Sequence, residues 1–471
     1  MATAIVLVTV ALYLVMYLFK MGWISDFLSA SVLTGFTFGV AINVAAGELS
    51  KITGTDSSGS NTWEKLWAWV TSIPDANGTT FLVGIVALLV VFGFAIYLPK
   101  VPGALVAVVL GIVASIVLGL ADRGVVLIGD VPQGLPNLVT PDVGYIIDNF
   151  ATIIGAAMGL LLIGFSVTIA AVRAYATEHN YPVDLNQELM AQGMSNISSG
   201  LFQGVFVNGS LSKSPVANEA GAKSQMYNLF QAALIILTLL FLAPFFSDLP
   251  DAVLGAVIIE AVVMGMMDVS GMRRIWRVKP IEFVMAMAAL LGVLTFGILQ
   301  GVVIGVVLSL MWLVAVSSRP HIPQLGRKPG TQAYRDLESH PDGETYPGLM
   351  ILRFDDGLFF VNSGALDDRI RDIRVEDSSE LSGLVLSMEA VDFMDIEGAD
   401  ALKKVANNGK DLGIDLHLAR VKDRVLDILQ QDGVVDVIGT DRIHADIDEA
   451  VDMHMKLHPP TEKTKATDTE R

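Results

Sequence analysis

The sequence contains no cysteine. Disulfide bridges, thiolate metal sites and cysteine nucleophiles are therefore excluded. Charged residues are also scarce, at 17% of 471 residues, whereas 52% are hydrophobic and the mean hydropathy is +0.56. This composition is too apolar for a soluble protein of this length, so we expect much of the chain to lie in a membrane.

Apolar runs long enough to span a bilayer recur before residue 320. Four of them lie at residues 3–19, 79–98, 103–120 and 228–246. A helix needs about 20 apolar residues to cross the hydrocarbon core, and about ten or eleven hydrophobic segments can be distinguished. The pattern predicts a polytopic α-helical membrane protein.

The sequence pattern changes after residue 318. Strand-like stretches then alternate with helix-like ones, which is typical of a small sheet covered by helices. The predicted strands are 349–354, 357–362, 383–388 and 413–419, and the predicted helices are 365–375, 398–409, 424–433 and 445–457. We expect a transmembrane domain at 1–318, a linker at 319–345, an α/β domain at 346–458 and a disordered tail at 459–471.

The net charge of −18 is unevenly distributed. From His321 onward, 18 Lys and Arg face 31 Asp and Glu, a net of −13, which leaves −5 for the membrane part. Binding to phosphate backbones needs clusters of lysine and arginine, so we expect no nucleic acid partner. The basic loop MRRIWRVK (272–279) is placed in the cytoplasm by the positive-inside rule. The α/β domain of this multi-pass cell-membrane protein would then also be cytoplasmic.

A polar segment, NGSLSKSPVANEAGAKSQ (208–225), lies between two hydrophobic stretches. Transporters use such interrupted helices, lined by protein or water, to bind ions at membrane depth. Ser210 or Ser212 could cap a helix here, and Pro215 suits its first turn. Lys213 would add positive charge, so an anion site at the start of the helix is one interpretation. The other is a surface loop whose lysine reaches the lipid headgroups.

This segment resembles the one that opens the tenth helix of the SulP, or sulfate permease, family of anion transporters, which includes the animal anion exchangers and prestin. Lys213 takes the place of the usual arginine, and Ser224 that of a threonine. Residues 164–202 look like the family's eighth and ninth helices, and 21–42 like an earlier segment. LRFDDGLFFVNSGAL (352–366) resembles part of the STAS domain that follows the membrane part in this family.

The resemblance implies a secondary transporter of sulfate, bicarbonate, chloride or a small dicarboxylate. The family fold has fourteen membrane helices in two inverted repeats of seven, with a core domain that moves against a gate domain. The resemblance also implies a homodimer in the lipid bilayer, joined through the gate and STAS domains. The residues that it places at the anion are Gly209, Ser210, Ser212 and Lys213 from the tenth helix, and Gly164, Phe165 and Ser166 from the eighth.

The sequence departs from the family pattern in three ways. It starts at what would be the fourth helix, so we expect half of the anion site to be missing. Val167 stands where many bacterial members have a glutamate, which favours exchange or uncoupled movement. Glu260 is an intramembrane candidate for coupling, with gate-helix packing or an interfacial position as the alternatives. Related STAS domains have D-S-S/T-G here with the first serine phosphorylated, whereas this chain has Ile396 and Glu397, so we expect no phosphorylation but a docking or assembly module in which Asp395 caps the next helix.

Two other interpretations of function stay open. One is a membrane-anchored scaffold in which only the STAS domain acts, and the other is a nucleobase carrier of the same fold. No metal-ligand spacing such as H-E-x-x-H and no GK[ST] phosphate loop is present, so we expect no enzyme activity, metal or cofactor. We interpret His417 and His444 as structural residues.

Overall fold

The chain divides into a helical unit, Met1–Leu310, and an α/β unit, Met311–Arg471. The predicted fold class is thus confirmed. The computed structural model describes residues 1–23, 29–55, 59–98, 101–139, 143–210, 213–219, 221–376 and 381–459.

The first unit is built from helices whose outward side chains are largely apolar. In chain order they are α1 (Ala2–Leu18), α2 (Ala30–Thr53), α3 (Thr62–Ser72), α4 (Gly78–Tyr97), α5 (Gly103–Leu118), α6 (Val143–Asp148), α7 (Phe150–His179), α8 (Leu185–Leu201), α9 (Lys213–Glu219), α10 (Met226–Leu237), α11 (Asp251–Met266), α12 (Val269–Val278), α13 (Pro280–Phe296) and α14 (Ile298–Ser317). Among the described residues, five helical stretches are long and apolar enough to cross a membrane: Ala30–Thr53, Gly78–Tyr97, Phe150–His179, Met226–Asp248 and Asp251–Val278. Leu89 on α4 is 69% exposed, and such an apolar exterior fits lipid better than water.

One group of helices consists of α1, α7 and α8, with α1 packed against the other two. Its centre is the fully buried ring of Tyr13, which meets Phe165 edge-on with ring centroids 6.4 Å apart. The Tyr13 hydroxyl donates a hydrogen bond to the carbonyl of Leu161 at 3.3 Å. The phenol is therefore satisfied inside an apolar cluster, as a buried tyrosine requires.

A second group consists of α2, α4, α5, α11 and α13, in which α11 packs against α2, α4 and α5, and α13 against α2. Its buried residues include Val91, Val253 and Ala256. Lys51 on α2 pairs with Glu48 at 3.0 Å and with Asp251 at 3.5 Å, which ties the end of α2 to the start of α11. The residues of α7 and α11 thus belong to different packing groups.

The second unit contains two sheets. Strands β1 (Leu325–Arg327) and β2 (Tyr334–Asp336) form an antiparallel pair. Strands β3 (Leu349–Arg353), β4 (Gly383–Ser387), β5 (Asp415–Ala419) and β6 (Ile443–His444) form a parallel sheet in the order β3-β4-β5-β6. The helices are α15 (Ser363–Glu376), α16 (Ile396–Asp411), α17 (Asp423–Gln431), α18 (Val434–Ile438) and α19 (Ile447–Leu457). Strand β4 is buried throughout, as a central parallel strand should be, because helices cover both faces.

The structure departs from the sequence pattern at two places in this unit. Strands β1 and β2 form within residues 319–345, the segment expected to be a linker. The prediction of a strand at 357–362 is wrong, since these residues turn into α15. The buried Asn362 closes the turn: its Nδ2 donates to the carbonyl of Gly357 at 2.8 Å, and its Oδ1 accepts from the N–H of Phe359 at 2.9 Å. Asparagine stabilises turns by such local bonds, which compete with strand pairing.

Candidate functional site

The polar segment begins with an irregular stretch held against α8 by one asparagine. Asn196 is fully buried, and its Oδ1 accepts from the N–H of Val207 at 2.8 Å while its Nδ2 donates to the carbonyl of Val207 at 2.7 Å. Nδ2 also donates to the carbonyl of Gln192 at 2.9 Å. One amide side chain thus satisfies both backbone groups of a residue that has no helix or strand partner.

The hydroxyl of Thr168 on α7 connects the same stretch to α8. Its Oγ1 accepts a hydrogen bond from the N–H of Gly209 at 2.9 Å and another from Nε2 of Gln192 at 2.6 Å. A Cβ at Gly209 would lie 3.0 Å from the Cα of Thr168. A larger residue at 209 would therefore push the segment away from α7, and the close approach for which glycine is suited here is to this helix.

Ser210 caps the helix that follows. Its Oγ accepts from the N–H of Lys213 at 3.2 Å, and its carbonyl accepts from the N–H of Ser214 at 3.1 Å. Pro215 lies in the first turn of α9, where the sequence places it. Ser212 lies outside the described residues.

A cavity of about 620 Å³ lies between the second half of α7, the helix α9 and the turn that leads into α10. Thr168 and Gly209 are on its wall, as are Lys223 and His179. No aspartate or glutamate is among the described residues that line it. Its lining therefore offers a cation, an imidazole, hydroxyls and amides, which are the groups that hold small anions.

Hydrogen bonds connect α7 and α9 beside the cavity. His179 Nε2 and Asn218 Oδ1 lie 2.8 Å apart, and Asn218 Nδ2 donates to Glu178 Oε1 at 2.9 Å. The carboxylate of Glu178 thus contacts the lining residue Asn218, although Glu178 does not itself line the cavity.

The structure brings only some of the sequence-predicted residues to this cavity. Gly209 is on the wall, whereas Ser210 and the exposed Lys213 are not. Gly164 and Phe165 face the packing of the α1, α7 and α8 group instead. Phe165 is buried against Tyr13, and a Cβ at Gly164 would lie 2.4 Å from the ring of Phe206. The side chain of Ser166 lies outside the described residues.

The two positions considered for coupling, Val167 and Glu260, lie in different helix groups. Val167 lies on α7 next to Thr168 and is half-buried. Glu260 lies on α11, half-buried, in the other helix group, and it is not on the cavity wall. Its position favours the gate-helix packing interpretation.

Sequence reasoning missed Thr168, His179 and Asn218. Thr168 and His179 lie eleven positions apart on α7, which is about three turns and places them on one face of the helix. That spacing is the signal that could have found them. Asn218 joins them only because α9 folds back beside α7.

In the second unit, Asp395 caps α16 as predicted. Its Oδ1 accepts from the N–H of Gly398 at 2.8 Å, and its Oδ2 accepts from the N–H of Phe360 at 3.0 Å. Ile396, which follows it, is 71% exposed.

Comparison with known proteins decides the family. The model of the sulfate permease family matches residues 1–289, and the STAS domain model matches residues 340–450. The chain belongs to the sulfate permease family. It is therefore a multi-pass membrane protein with a C-terminal STAS domain, in agreement with the resemblance seen in the sequence.

Relatives and solved structures of this family extend the match. A probable sulfate transporter of Mycobacterium tuberculosis is 29% identical over 432 residues, which cover 92% of this chain and 77% of the relative. Probable sulfate transporter 4.2 of Arabidopsis thaliana is 30% identical over 458 residues, covering 93% of this chain and 66% of the relative. The inward-facing structure of the murine Solute Carrier 26 family member A9 anion transporter superposes with a TM-score of 0.85 at 22% identity, over 97% of this chain and 75% of that one. This chain shares that fold.

Proposed function

We propose that this family member transports small inorganic anions, sulfate first among them, through the cavity between α7 and α9. The observation that carries the proposal is the charge of that cavity: Lys223 and His179 line it, and no carboxylate does among the described residues. Family membership supports the proposal, since curated relatives are named sulfate transporters. Transport, rather than catalysis, is the activity that such a lining serves.

We propose that the cavity faces the cytoplasm. The turn at 221–225 is separated from the basic segment 272–279, which begins on α12, by the helical stretch Met226–Asp248 and by α11 (Asp251–Met266). Two crossings return the chain to the same side, and the positive-inside rule makes that side cytoplasmic. An anion in the cytoplasm would thus meet Lys223 first.

We propose exchange or uncoupled movement as the transport mode. The position next to Thr168 carries Val167 rather than a carboxylate, so no proton-binding group is present there. Glu260 belongs to the other helix group. An imposed pH gradient should therefore not drive uptake, and acceleration by a trans anion would distinguish exchange from uncoupled movement.

The test is initial uptake of radiolabelled sulfate into proteoliposomes that contain the full chain. We expect Lys223→Ala to reduce the rate roughly tenfold, because it removes the full cation from the cavity wall. Lys213→Ala tests the site placed at the helix start by the family resemblance. Lys328→Ala, an exposed lysine of the second unit, is the matched control. Bicarbonate, chloride and a dicarboxylate are run as competitors to rank the substrates.

The outcomes separate the three interpretations. A rate unchanged by Lys223→Ala and Lys213→Ala would overturn the anion site. Partner binding by the STAS domain with no anion flux would support the scaffold, and uptake of a nucleobase without sulfate would support the nucleobase carrier. The homodimer implied by the family is part of the proposal, and native mass spectrometry of the detergent-solubilised protein tests it.

A further inference from the structure

A histidine cluster lies in the second unit, away from the cavity described above. Asp415 and His417 are two positions apart on β5 and so share one face of the sheet. His454 lies in the last turn of α19 and His458 directly follows the helix, and their rings stack with centroids 4.7 Å apart. The D-x-H pair of β5 and the H-x₃-H pair at the end of α19 therefore lie next to each other.

The two buried imidazoles each use one ring nitrogen for a neighbour. Nδ1 of His417 lies 3.1 Å from Nε2 of His444, and Nε2 of His454 lies 3.1 Å from the hydroxyl of Ser382. His417 is 0% exposed and His454 is 1% exposed. In metal sites the second ring nitrogen is held in this way, which fixes the orientation of the ligand nitrogen.

The remaining nitrogens of these two rings have no hydrogen-bond partner. Nε2 of His417 and Nδ1 of His454 are buried, and neither is bonded to any residue in the described part of the chain. A buried polar atom without a partner loses the hydrogen bond that it makes with water, so native proteins rarely keep one. The two rings are neighbours, with centroids 5.6 Å apart, so one ligand could serve both nitrogens.

A carboxylate completes the arrangement. One ligand atom each from Asp415, His417 and His454 lies within 4.8 Å of the other two. Arg442 binds Oδ1 of Asp415 at 2.7 Å, and Nε2 of His458 lies 3.1 Å from Oδ2. Arg442 can keep one carboxylate oxygen while the other faces the imidazoles.

The backbone of β4 makes room for His454. A Cβ at Gly383 would lie 2.3 Å from Cε1 and 2.5 Å from Nδ1 of the His454 ring. Any residue larger than glycine at 383 would therefore clash with the imidazole of His454.

We propose that Asp415, His417 and His454 bind one Zn²⁺ ion, with the imidazole of His458 beside them as the fourth ligand. Two or three imidazoles and one carboxylate are ligands that zinc accepts at about 2.0–2.2 Å. Tetrahedral binding places ligand atoms roughly 3.3 Å apart, so the side chains close in by about 1.5 Å, within the reach of small rotamer adjustments. The ion would join the terminal helix α19 to the centre of the sheet. The pattern was invisible in the sequence because its two halves come from separate segments.

The experiment uses the full chain in detergent, stripped with a chelator and then titrated with Zn²⁺ against a chromophoric competitor. We expect one Zn²⁺ per chain, and at least a tenfold weaker affinity for His454→Gln and for Asp415→Asn. His340→Gln changes an exposed histidine of the same unit and is the matched control. Co²⁺ replaces Zn²⁺ in a parallel titration, and the visible bands of tetrahedral Co²⁺ report the geometry.

The following results would overturn the proposed zinc site. Failure of the wild-type chain to retain Zn²⁺, or an affinity that His454→Gln and Asp415→Asn leave unchanged, overturns the site. Should His454→Gln fail to fold, Asp415→Asn and the Co²⁺ spectrum of the wild-type chain still decide, since the latter needs no variant. A Co²⁺ spectrum without tetrahedral bands contradicts the proposed ligand set.

Discussion

The side chain of Asn196 on α8 pairs with both backbone groups of Val207, at 2.8 Å and 2.7 Å, much as a neighbouring strand would. The stretch that leads into α9 is therefore held by a side chain and not by regular secondary structure. The position of this stretch depends on a buried polar side chain, Asn196, which a prediction of helices from the sequence would count only as a core residue.

Asn196→Ala should displace this stretch. It leaves two backbone groups of Val207 without partners, which costs about 1–3 kcal/mol. We expect the initial rate of sulfate uptake into proteoliposomes to fall roughly tenfold, the factor that corresponds to about 1.4 kcal/mol. Ser195→Ala is the control, since that hydroxyl donates to the carbonyl of Gln192 within its own helix. A wild-type rate for Asn196→Ala would show that the stretch is held by other contacts.

Thr168→Val tests the link between α7 and Gly209. Valine keeps the shape of threonine but removes the oxygen that accepts from Gly209 and from Gln192. We expect a roughly tenfold lower uptake rate with the protein still folded. Thr168→Ser keeps the hydroxyl and should restore most of the rate. Equal rates for the valine and wild-type proteins would exclude a role for this hydroxyl.

Glu260→Gln should leave anion uptake within about twofold of wild type, as substitutions away from a functional site usually do. The reason is its place on α11, which packs against α2, α4 and α5 rather than against α7. The measurement is sulfate uptake with and without an imposed pH gradient. A pH-gradient response that the wild-type protein has and Glu260→Gln lacks would make this carboxylate the coupling group after all.

Asp395→Ala should loosen the start of α16. It removes the cap on the N–H of Gly398 and the bond to the N–H of Phe360, which costs about 1–2 kcal/mol. Hydrogen exchange of the full chain should speed up in residues 396–399. Asp395→Asn keeps a capping oxygen and should exchange more slowly than the alanine variant. Asp392→Ala, an exposed neighbour, is the control, and equal exchange in the two alanine variants would contradict the cap.

Much of the fold could be predicted from local patterns. Apolar runs are set by bilayer thickness, so the membrane unit was evident from composition and length alone. Buried parallel strands are continuous apolar runs, which is why β3, β4 and β5 were found. The segment 357–362 has the same apolar content, but Asn362 turns it through local bonds to Gly357 and Phe359, which the apolar pattern does not report.

The candidate site was only partly predictable. The cap by Ser210 and the close approach at Gly209 follow from residue type within a short segment. Which side chains face the cavity depends on the rotation of α7 and on the path of the chain back from α9. Phe165 is therefore buried in the helix core, whereas Thr168 forms a hydrogen bond with Gly209 of the polar segment.

What the sequence by itself determined is the membrane character, the order of the two units, the family and the polar interruption, because composition and short motifs act locally. What only the tertiary structure decided is which distant groups meet. Three pairs of residues from separate elements show this: Thr168 with Gly209, Asn196 with Val207, and His417 with His454. Hydrogen bonds and ligand sites need atoms within a few ångströms, and no linear spacing encodes that distance between segments.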